Sequence, residues 1–293
     1  MGFEARSDLA TECGCENERE GIRVSTADAG GCKLVRVQIK SEDAARRIGK
    51  PCGRYVTLEC GHVHDLCEQE LAQVRRVLAV ELREMAERMT GKRMGSGFSV
   101  LVAGLGNAEI TPDAVGPETV RRLSVTRHLR EYDTALFSTV GLCEIAAIAP
   151  GVLGQTGLET VELVRGAVSS AKPDLVVAVD ALAARSTERL AATVQLSDTG
   201  IQPGSGIGNG RRALNRETVG VPVMALGVPT VVESSTLVYD ALTKFGIDEQ
   251  REELQQLFEG GKGFFVAPKE IDLLIPSVGI LLSSAIEKAF TVS

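Results

Sequence analysis

Three short, Val-rich apolar runs constrain the fold of this chain more than any other feature. They occupy residues 98–103 (FSVLVA), 175–179 (LVVAV) and 221–226 (VPVMAL), and a Gly or Asp lies just beyond each run. A half-exposed strand alternates apolar and polar residues, whereas a wholly apolar run fits a strand that is buried on both faces. The chain is therefore predicted to be α/β, with a mostly parallel sheet and helices on both faces.

The first ninety residues follow a different pattern. Apolar and polar residues alternate over residues 21–40 around an ADAGG turn signal, which predicts a β-hairpin, and residues 53–59 predict another strand. Residues 68–89 repeat Leu, Val and Met at three- and four-residue spacing and predict a helix that ends at Gly91. We therefore predict an N-terminal β-rich extension with a helix at 9–90 and an α/β domain at 91–293.

Composition excludes several classes of protein. The net charge of −7 argues against a broad surface for nucleic acid. The longest apolar stretch, residues 271–286, is interrupted by Asp272 and Pro276 and is too short to span a membrane. The first residues do not have the pattern of a secretory signal, and the seven cysteines fit reduced thiols. We expect a cytoplasmic protein with no nucleic-acid or membrane partner.

The first segment that suggests chemistry runs from residue 102 to residue 117. A strand enters Gly104 and Gly106, and the loop beyond them delivers Asp113 just before a predicted helix. Open α/β sheets bind ligands at such strand ends. The dinucleotide fingerprint needs a third glycine where this chain has Glu109, so that interpretation fails. Asp113 is either a functional acid or merely the cap of the following helix.

The second segment places Asp180 directly after the apolar run at 175–179. A carboxylate at that position is costly to bury unless it is paired, hydrogen-bonded or protonated. Two acids at neighbouring strand ends can converge on one crevice and act as acid and base on a bound water. A structural ion pair between Asp180 and Arg185 explains the spacing equally well.

The third segment is a glycine-rich loop at residues 197–212. Its backbone amides are suited to binding a carbonyl oxygen or an anion. Its Asp-Thr-Gly triplet begins at Asp198, but pepsin-like proteases need two such triplets in β-rich lobes, so we reject that homology. The glycines lie at positions 200, 204, 206, 208 and 210.

Longer motifs carry a specific resemblance. In order along the chain, these are TPDAVGPETV, VTRHL, APGVLGQTGLET, KPDLVVAVDALAARS, QLSDTGIQPGSGIGN and VPVMALGVPTVV. Together they resemble the germination protease of spore-forming Firmicutes. The likeness runs from RSDLA near the amino end to APKEIDLLI near the carboxyl end and so covers nearly the whole chain.

The resemblance implies a zymogen of an endopeptidase that degrades small acid-soluble, DNA-binding spore proteins during germination. It also implies a homotetramer in the spore core and a fold similar to that of hydrogenase maturation proteases. The TPDA and DALAAR motifs of the family place its active-site acids at Asp113 and Asp180. A prosegment of residues 1–8 is expected, cut between Asp8 and Leu9, from an arm with no apolar periodicity to anchor it.

Water activation between the two acids is the expected mechanism, without a cofactor or metal. Neither a Ser-His-Asp order nor a Cys-His pair is evident, and HExxH is absent. We expect five further residues to support the site or bind substrate: Asn107, Arg185, Asp198, Gly206 and Asn209. The nearest rival is a metal-dependent maturation-type protease that uses the same two acids as ligands.

A rival from another class is a non-catalytic assembly protein stabilised by zinc. Its candidate ligands are Cys52, Cys60, His62, His64 and Cys67. These side chains suit zinc, but no Cys-x-x-Cys pair is present, and we predict unpaired thiols and solvated histidines instead. The third histidine, His128, is either a general base or, as we favour, a structural residue.

Overall fold

The structure is a computed structural model that describes residues 7–13, 19–204, 211–246 and 263–292. The described strands are β1 (Ile22–Ala29), β2 (Cys32–Ile39), β3 (Gly53–Glu59), β4 (Ser99–Gly104), β5 (Glu144–Ile148), β6 (Leu175–Ala184), β7 (Thr193–Ser197), β8 (Val223–Glu233) and β9 (Phe265–Val266).

The described helices are α1 (Glu42–Ile48), α2 (Glu68–Thr90), α3 (Val115–Arg122), α4 (Arg127–Tyr132), α5 (Thr134–Val140), α6 (Leu153–Thr156), α7 (Thr160–Ala171), α8 (Arg216–Val219), α9 (Ser234–Lys244) and α10 (Ile271–Ala289). Short 3-10 turns lie at Ala10–Glu12, Thr111–Asp113 and Thr187–Arg189. No helix among these residues is long and apolar enough to cross a membrane.

All nine strands belong to one mixed sheet, in the order β1-β2-β3-β7-β8-β6-β4-β5, with β9 added at the end of β8. The pairs β4–β5, β4–β6 and β6–β8 are parallel, as the apolar runs predict. The other strand pairs are antiparallel. The hairpin and β3 join the parallel part of the sheet through β7, which pairs with β8. The α/β class is confirmed, and the N-terminal extension continues the main sheet.

Helices cover both faces of the parallel strands, as predicted. On one face α2, α3 and α10 pack against inward side chains such as Val177 and Leu226. On the other face α7 packs against Leu101 and Val176. Burial on both faces explains why these strands carry almost no polar residue. Asp180 is a buried acid in the middle of β6, and it marks the candidate site.

The structure corrects two expectations that bear on that site. Asp180 does not follow the strand, because β6 continues to Ala184 by pairing with β8 across a bulge at Leu182 and Ala183. The arm is also anchored within its described part, since Leu9 and Ala10 are completely buried. Both departures depend on contacts between residues that are distant in sequence.

Candidate active site

Asp113 reaches the end of β4 because two glycines remove side chains from its path. Gly106 has a φ of +104°, which favours glycine, and a Cβ there would overlap the carbonyl oxygen of Asp113. A Cβ at Gly104 would overlap the backbone of Gly116 in α3. These glycines therefore allow the backbone to pack closely around Asp113. This role agrees with the failed match to the nucleotide fingerprint.

Asp113 is not the cap of α3. The helix is preceded by Ala114 at its N-cap position and has no side-chain capping bond. Instead, the Asn107 N–H donates to Asp113 Oδ2 at 2.7 Å. Burial raises the pKa of Asp113, and this hydrogen bond opposes that shift by stabilising the ionised form.

Asp180 lies within β6, opposite Gly227 of β8, and only 6% of its surface is exposed. Its Oδ1 accepts one hydrogen bond, from the Ala181 N–H at 3.0 Å. Burial raises the pKa of Asp180 well above its usual value, and the charges of Asp113 and Asp8 raise it further. The 3-10 turn that carries Asp113 packs against β6 and β8, so its carboxylate lies close enough to Asp180 for the two charges to interact.

Such a pair can divide acid–base work. Both pKa values are raised, but the strongly buried Asp180 favours its protonated form more than Asp113 does. Carboxyl groups in contrasting environments can thus hold one proton between them near neutral pH. The site has one ready proton donor and one group suited to accept a proton.

Asn107 and Gln155 border this site together. Asn107 Oδ1 accepts hydrogen bonds from the Glu109 N–H at 2.9 Å and from Gln155 Nε2 at 2.8 Å. The expected support of Asp113 by Asn107 therefore comes from its backbone amide, while its side chain ties the loop after β4 to helix α6. Sequence reasoning missed Gln155, although it lies inside the APGVLGQTGLET motif.

The remaining predicted residues are not all brought to the acids. Arg185 pairs with Asp240 at 2.7 Å, so the alternative of an Arg185–Asp180 ion pair is wrong. Asp198 accepts a hydrogen bond from the Arg54 N–H at 2.8 Å and holds the end of β7 to β3. Gly206 and Asn209 lie outside the described residues.

Comparison with known proteins decides the family. The family model described as germination protease matches residues 4–256. A germination protease of Caldanaerobacter subterraneus subsp. tengcongensis is 39% identical, over 97% of this chain and 93% of the relative. One from Clostridium acetobutylicum is 37% identical, over 97% of this chain and 94% of the relative. This chain belongs to the germination protease family.

A third relative, the germination protease of Priestia megaterium, is 38% identical over 89% of this chain and 74% of its own length. Among solved structures, a [NiFe] hydrogenase maturation protease HycI from Thermococcus kodakarensis KOD1 is similar at 18% identity. It covers 64% of this chain and 92% of its own, with a TM-score of 0.35. Membership of the germination protease family makes this chain a peptidase.

In this germination protease the described part of the arm lies against β6. The Asp8 N–H donates to the Ala183 oxygen at 2.9 Å, and the Ala183 N–H donates to Asp8 Oδ2 at 2.9 Å. Gln195 Nε2 donates to the Asp8 carbonyl oxygen, and Gln195 Oε1 accepts from the Ala10 N–H. The arm is thus fixed by backbone recognition, which its sequence does not reveal.

Leu9 is buried in an apolar pocket beside this recognition. The pocket is formed by Leu182, Ala184, Leu190 and Val232. Glu12 adds a polar anchor, since its carboxylate accepts hydrogen bonds from the backbone N–H groups of Arg185 at 2.7 Å and Ser186 at 3.0 Å. Residues 8–12 are therefore anchored by hydrogen bonds and an apolar pocket, although the sequence of the arm has no apolar periodicity.

The candidate zinc ligands have other partners or stand apart. Cys60 Sγ donates to the Ala192 carbonyl, and His62 Nδ1 lies 3.1 Å from the Leu190 carbonyl. Within the described ranges, no three His, Cys, Asp or Glu side chains form a group that could hold a metal ion. His128 is exposed on α4, so its structural interpretation agrees with its position.

Proposed function

We propose that this chain is the endopeptidase that starts the degradation of small acid-soluble, DNA-binding spore proteins during germination. Family membership supports the peptidase activity. The observation that carries the mechanism is the packing of the turn that bears Asp113 against β6, which brings the charge of Asp113 near the buried Asp180. The substrate class follows from the motifs shared with the family.

Asp113 is the base and Asp180 the acid in this mechanism. Ionised Asp113 removes a proton from a bound water, and the water oxygen attacks the carbonyl carbon of the peptide. Asp180 gives its proton to the leaving nitrogen as the C–N bond breaks. Transfer of the proton from Asp113 to Asp180 restores the starting state, so no cofactor is consumed.

The assignment of roles rests on the hydrogen bonds of the two carboxylates. Asp113 receives the Asn107 N–H and is the less strongly shifted of the two acids, which favours its ionised form. Asp180 is almost fully buried and repelled by two neighbouring carboxylates, which favours its protonated form. The glycine-rich loop that begins at Gly200 is proposed to bind the peptide or its oxyanion, with Gly206 and Asn209 contributing.

The direct test is to incubate the purified protein with a small acid-soluble spore protein and map the cut bonds by mass spectrometry. We expect a small number of defined cuts that are lost in Asp113→Asn and in Asp180→Asn. Full activity after exhaustive chelation supports the aspartic mechanism. Loss on chelation, with recovery on adding a divalent cation, would instead establish the metal-dependent rival.

We further propose that the chain is made as a zymogen and that its own acids cut the arm between Asp8 and Leu9. Several contacts support this proposal. The charge of Asp8 acts on Asp180, Gln195 binds the carbonyl oxygen of the bond to be cut, and Leu9 fills an apolar pocket. An arm held in this way covers the edge of the site along β6, where a substrate peptide would have to bind.

N-terminal sequencing after incubation at mildly acidic pH tests the zymogen proposal. We expect a new terminus at Leu9 that appears together with activity and does not appear in Asp180→Asn. An unchanged terminus in a preparation that is already fully active would contradict it. Mixing the inactive variant with active protein separates cutting within one molecule from cutting between molecules.

The assembly is proposed to be a homotetramer in the spore core. Large apolar side chains remain exposed on the long helices, among them Val80 of α2 and Leu273 and Ile280 of α10. Exposed apolar surface of this kind is typical of protein interfaces. Light scattering of the purified protein should give four times the mass of the chain, and Leu273→Glu should reduce that mass.

A further inference from the structure

A cavity of about 250 Å³ lies on the N-terminal extension, between helix α2 and the strands β1, β2 and β3. Its lining includes neither Asp113 nor Asp180, nor any residue of the arm. Four of the lining side chains are arginines and two are glutamates, so its lining is positive in a chain whose net charge is −7. A cluster of arginines in a negatively charged chain suggests that this cavity binds an anion.

The strand register places three of these arginines, Arg23, Arg36 and Arg54, on one face of the sheet, and Arg88 belongs to α2. Arg23 of β1 is opposite Gln38 of β2, which is opposite Arg54 of β3. Directly opposed residues point to the same face, and neighbouring strands are about 4.8 Å apart. Arg23 and Arg54 therefore flank Gln38 across about 10 Å. This is the face that α2 covers.

The same face changes character along its length. Nearer to the β1–β2 turn it carries Leu34 and Leu58, which pack in the core against Leu78 of α2. Beyond them it carries the arginines, and α2 turns polar at the same level with Glu81 and Arg88. The sheet and the helix thus separate around a polar cavity that opens from the end of the core.

Among the residues that the structure describes, an ion-pair partner is found for one of the four arginines. Arg36 Nε donates to Glu81 Oε2 at 3.2 Å, and that glutamate is buried. The guanidinium groups of Arg23, Arg54 and Arg88 make no hydrogen bond or ion pair with any residue that the structure describes. Three guanidinium groups are therefore available to a ligand, with Gln38 as a further hydrogen-bond donor between two of them.

We propose that this cavity binds a small organic anion with at least two negative charges, such as a phosphate monoester or a di- or tricarboxylate. Guanidinium groups bind both phosphate and carboxylate through paired N–H donors. The volume admits a small molecule and not a folded partner. The ligand stabilises the extension by joining β1 and β3 to α2, at a distance in the fold from the catalytic acids.

Calorimetric titration of the full chain with pyrophosphate and with citrate tests the proposal and separates the two sources of charge. We expect saturable binding of at least one probe that weakens as ionic strength rises. Arg54→Gln and Arg23→Gln should each weaken binding about tenfold, since each removes charge-assisted hydrogen bonds. Gln38→Glu should abolish it by placing a negative charge between the two arginines.

Two controls keep the result specific. Arg76→Gln removes an exposed arginine of the same helix that does not line the cavity, and binding should be unchanged. Asp113→Asn should also bind the probe normally, which excludes the catalytic crevice as its site. Circular dichroism checks that each variant is folded. The proposal would be overturned if neither probe bound saturably. It would also be overturned if Arg76→Gln and Arg54→Gln weakened binding equally.

Discussion

Two segments deliver the proposed catalytic acids: the loop between β4 and α3, and the middle of β6. They hold their carboxylates in contrasting ways. The loop depends on glycines at 104, 106 and 116, which let the backbone bring Asp113 close, and it leaves that side chain partly exposed. The strand buries Asp180 among apolar neighbours with a single backbone donor. One region is shaped by backbone geometry and the other by burial.

Because of this difference, substitutions in the two regions should affect activity and stability in different ways. A change in the loop should act through the position of Asp113, and therefore on catalysis and local strain together. A change at Asp180 should separate catalysis from stability, because the acid that serves the reaction is costly to bury. The following predictions test that contrast, beginning with the largest effect.

Loss of either acid should remove nearly all peptidase activity. Asp113→Asn and Asp180→Asn each eliminate one proton-transferring group, which typically costs about 10²- to 10⁴-fold in rate. Turnover of a spore-protein substrate measures the effect, with parent and variants all produced as chains that begin at Leu9, so that a failure to cut the arm does not enter. Asp174→Asn is the matched control, because Asp174 lies just before the opposite end of β6 and binds Lys92 and the Ser99 N–H. Near-normal turnover in either active-site variant would remove that acid from the mechanism.

Gly106→Ala should damage both the fold and the site. The new Cβ meets the Asp113 carbonyl oxygen at a φ of +104°, so the loop must shift. We expect the free energy of unfolding to fall by about 2 to 4 kcal/mol, with a loss of activity. Urea denaturation measures the first effect.

Gly97→Ala is the control for that substitution, because a Cβ at Gly97 has no atom within 4 Å. Its stability should change by less than about 1 kcal/mol. Equal effects at the two glycines would show that the loop does not depend on close approach to Asp113.

Asp180→Asn should stabilise the fold near neutral pH while it abolishes catalysis. The folded-state pKa of Asp180 is raised, so its contribution to stability is greatest below the unfolded pKa and is lost as pH rises through the folded pKa. The amide removes that loss and should raise the free energy of unfolding near pH 7, with little gain near pH 4. A variant that is less stable than the parent at both pH values would contradict the burial argument.

Gln155→Ala should have the smallest effect. It removes the hydrogen bond to the Asn107 side chain but leaves the Asn107 N–H bonded to Asp113. We expect activity to fall by about 5-fold through looser positioning, since a single neutral hydrogen bond contributes about 1 kcal/mol. Gln155→Glu keeps an acceptor but loses the donor, and it should not restore activity.

Local patterns were sufficient for much of the fold. Alternation predicted the hairpin, helical periodicity predicted α2, and apolar runs predicted the central parallel strands. Pairing partners were not predictable in this way. The strand β7 pairs with β3 and β8, and the local sequence pattern of β7 does not predict either partner. The continuation of β6 past Asp180 depends likewise on β8.

The site divides in the same way. Motif resemblance found both acids, and the structure brings them together. The motif resemblance did not reveal Gln155, the Gln195 contacts or the pairing of Arg185 with Asp240, because each of these contacts joins residues that are distant in sequence. The anchoring of Leu9 was not predicted, because its pocket is built from β6, β8 and the segment between β6 and β7.

The most direct test of the account is a carbon-13 NMR titration of the Asp113 and Asp180 carboxyl groups in the full chain. The account predicts that the pKa of Asp180 lies above that of Asp113 and well above its ordinary value. It also predicts that the pKa of Asp180 falls when Asp113 is replaced by Asn or when the arm is removed through Asp8. An Asp180 that titrates at its ordinary pKa, unaffected by either change, would contradict the shared catalytic crevice.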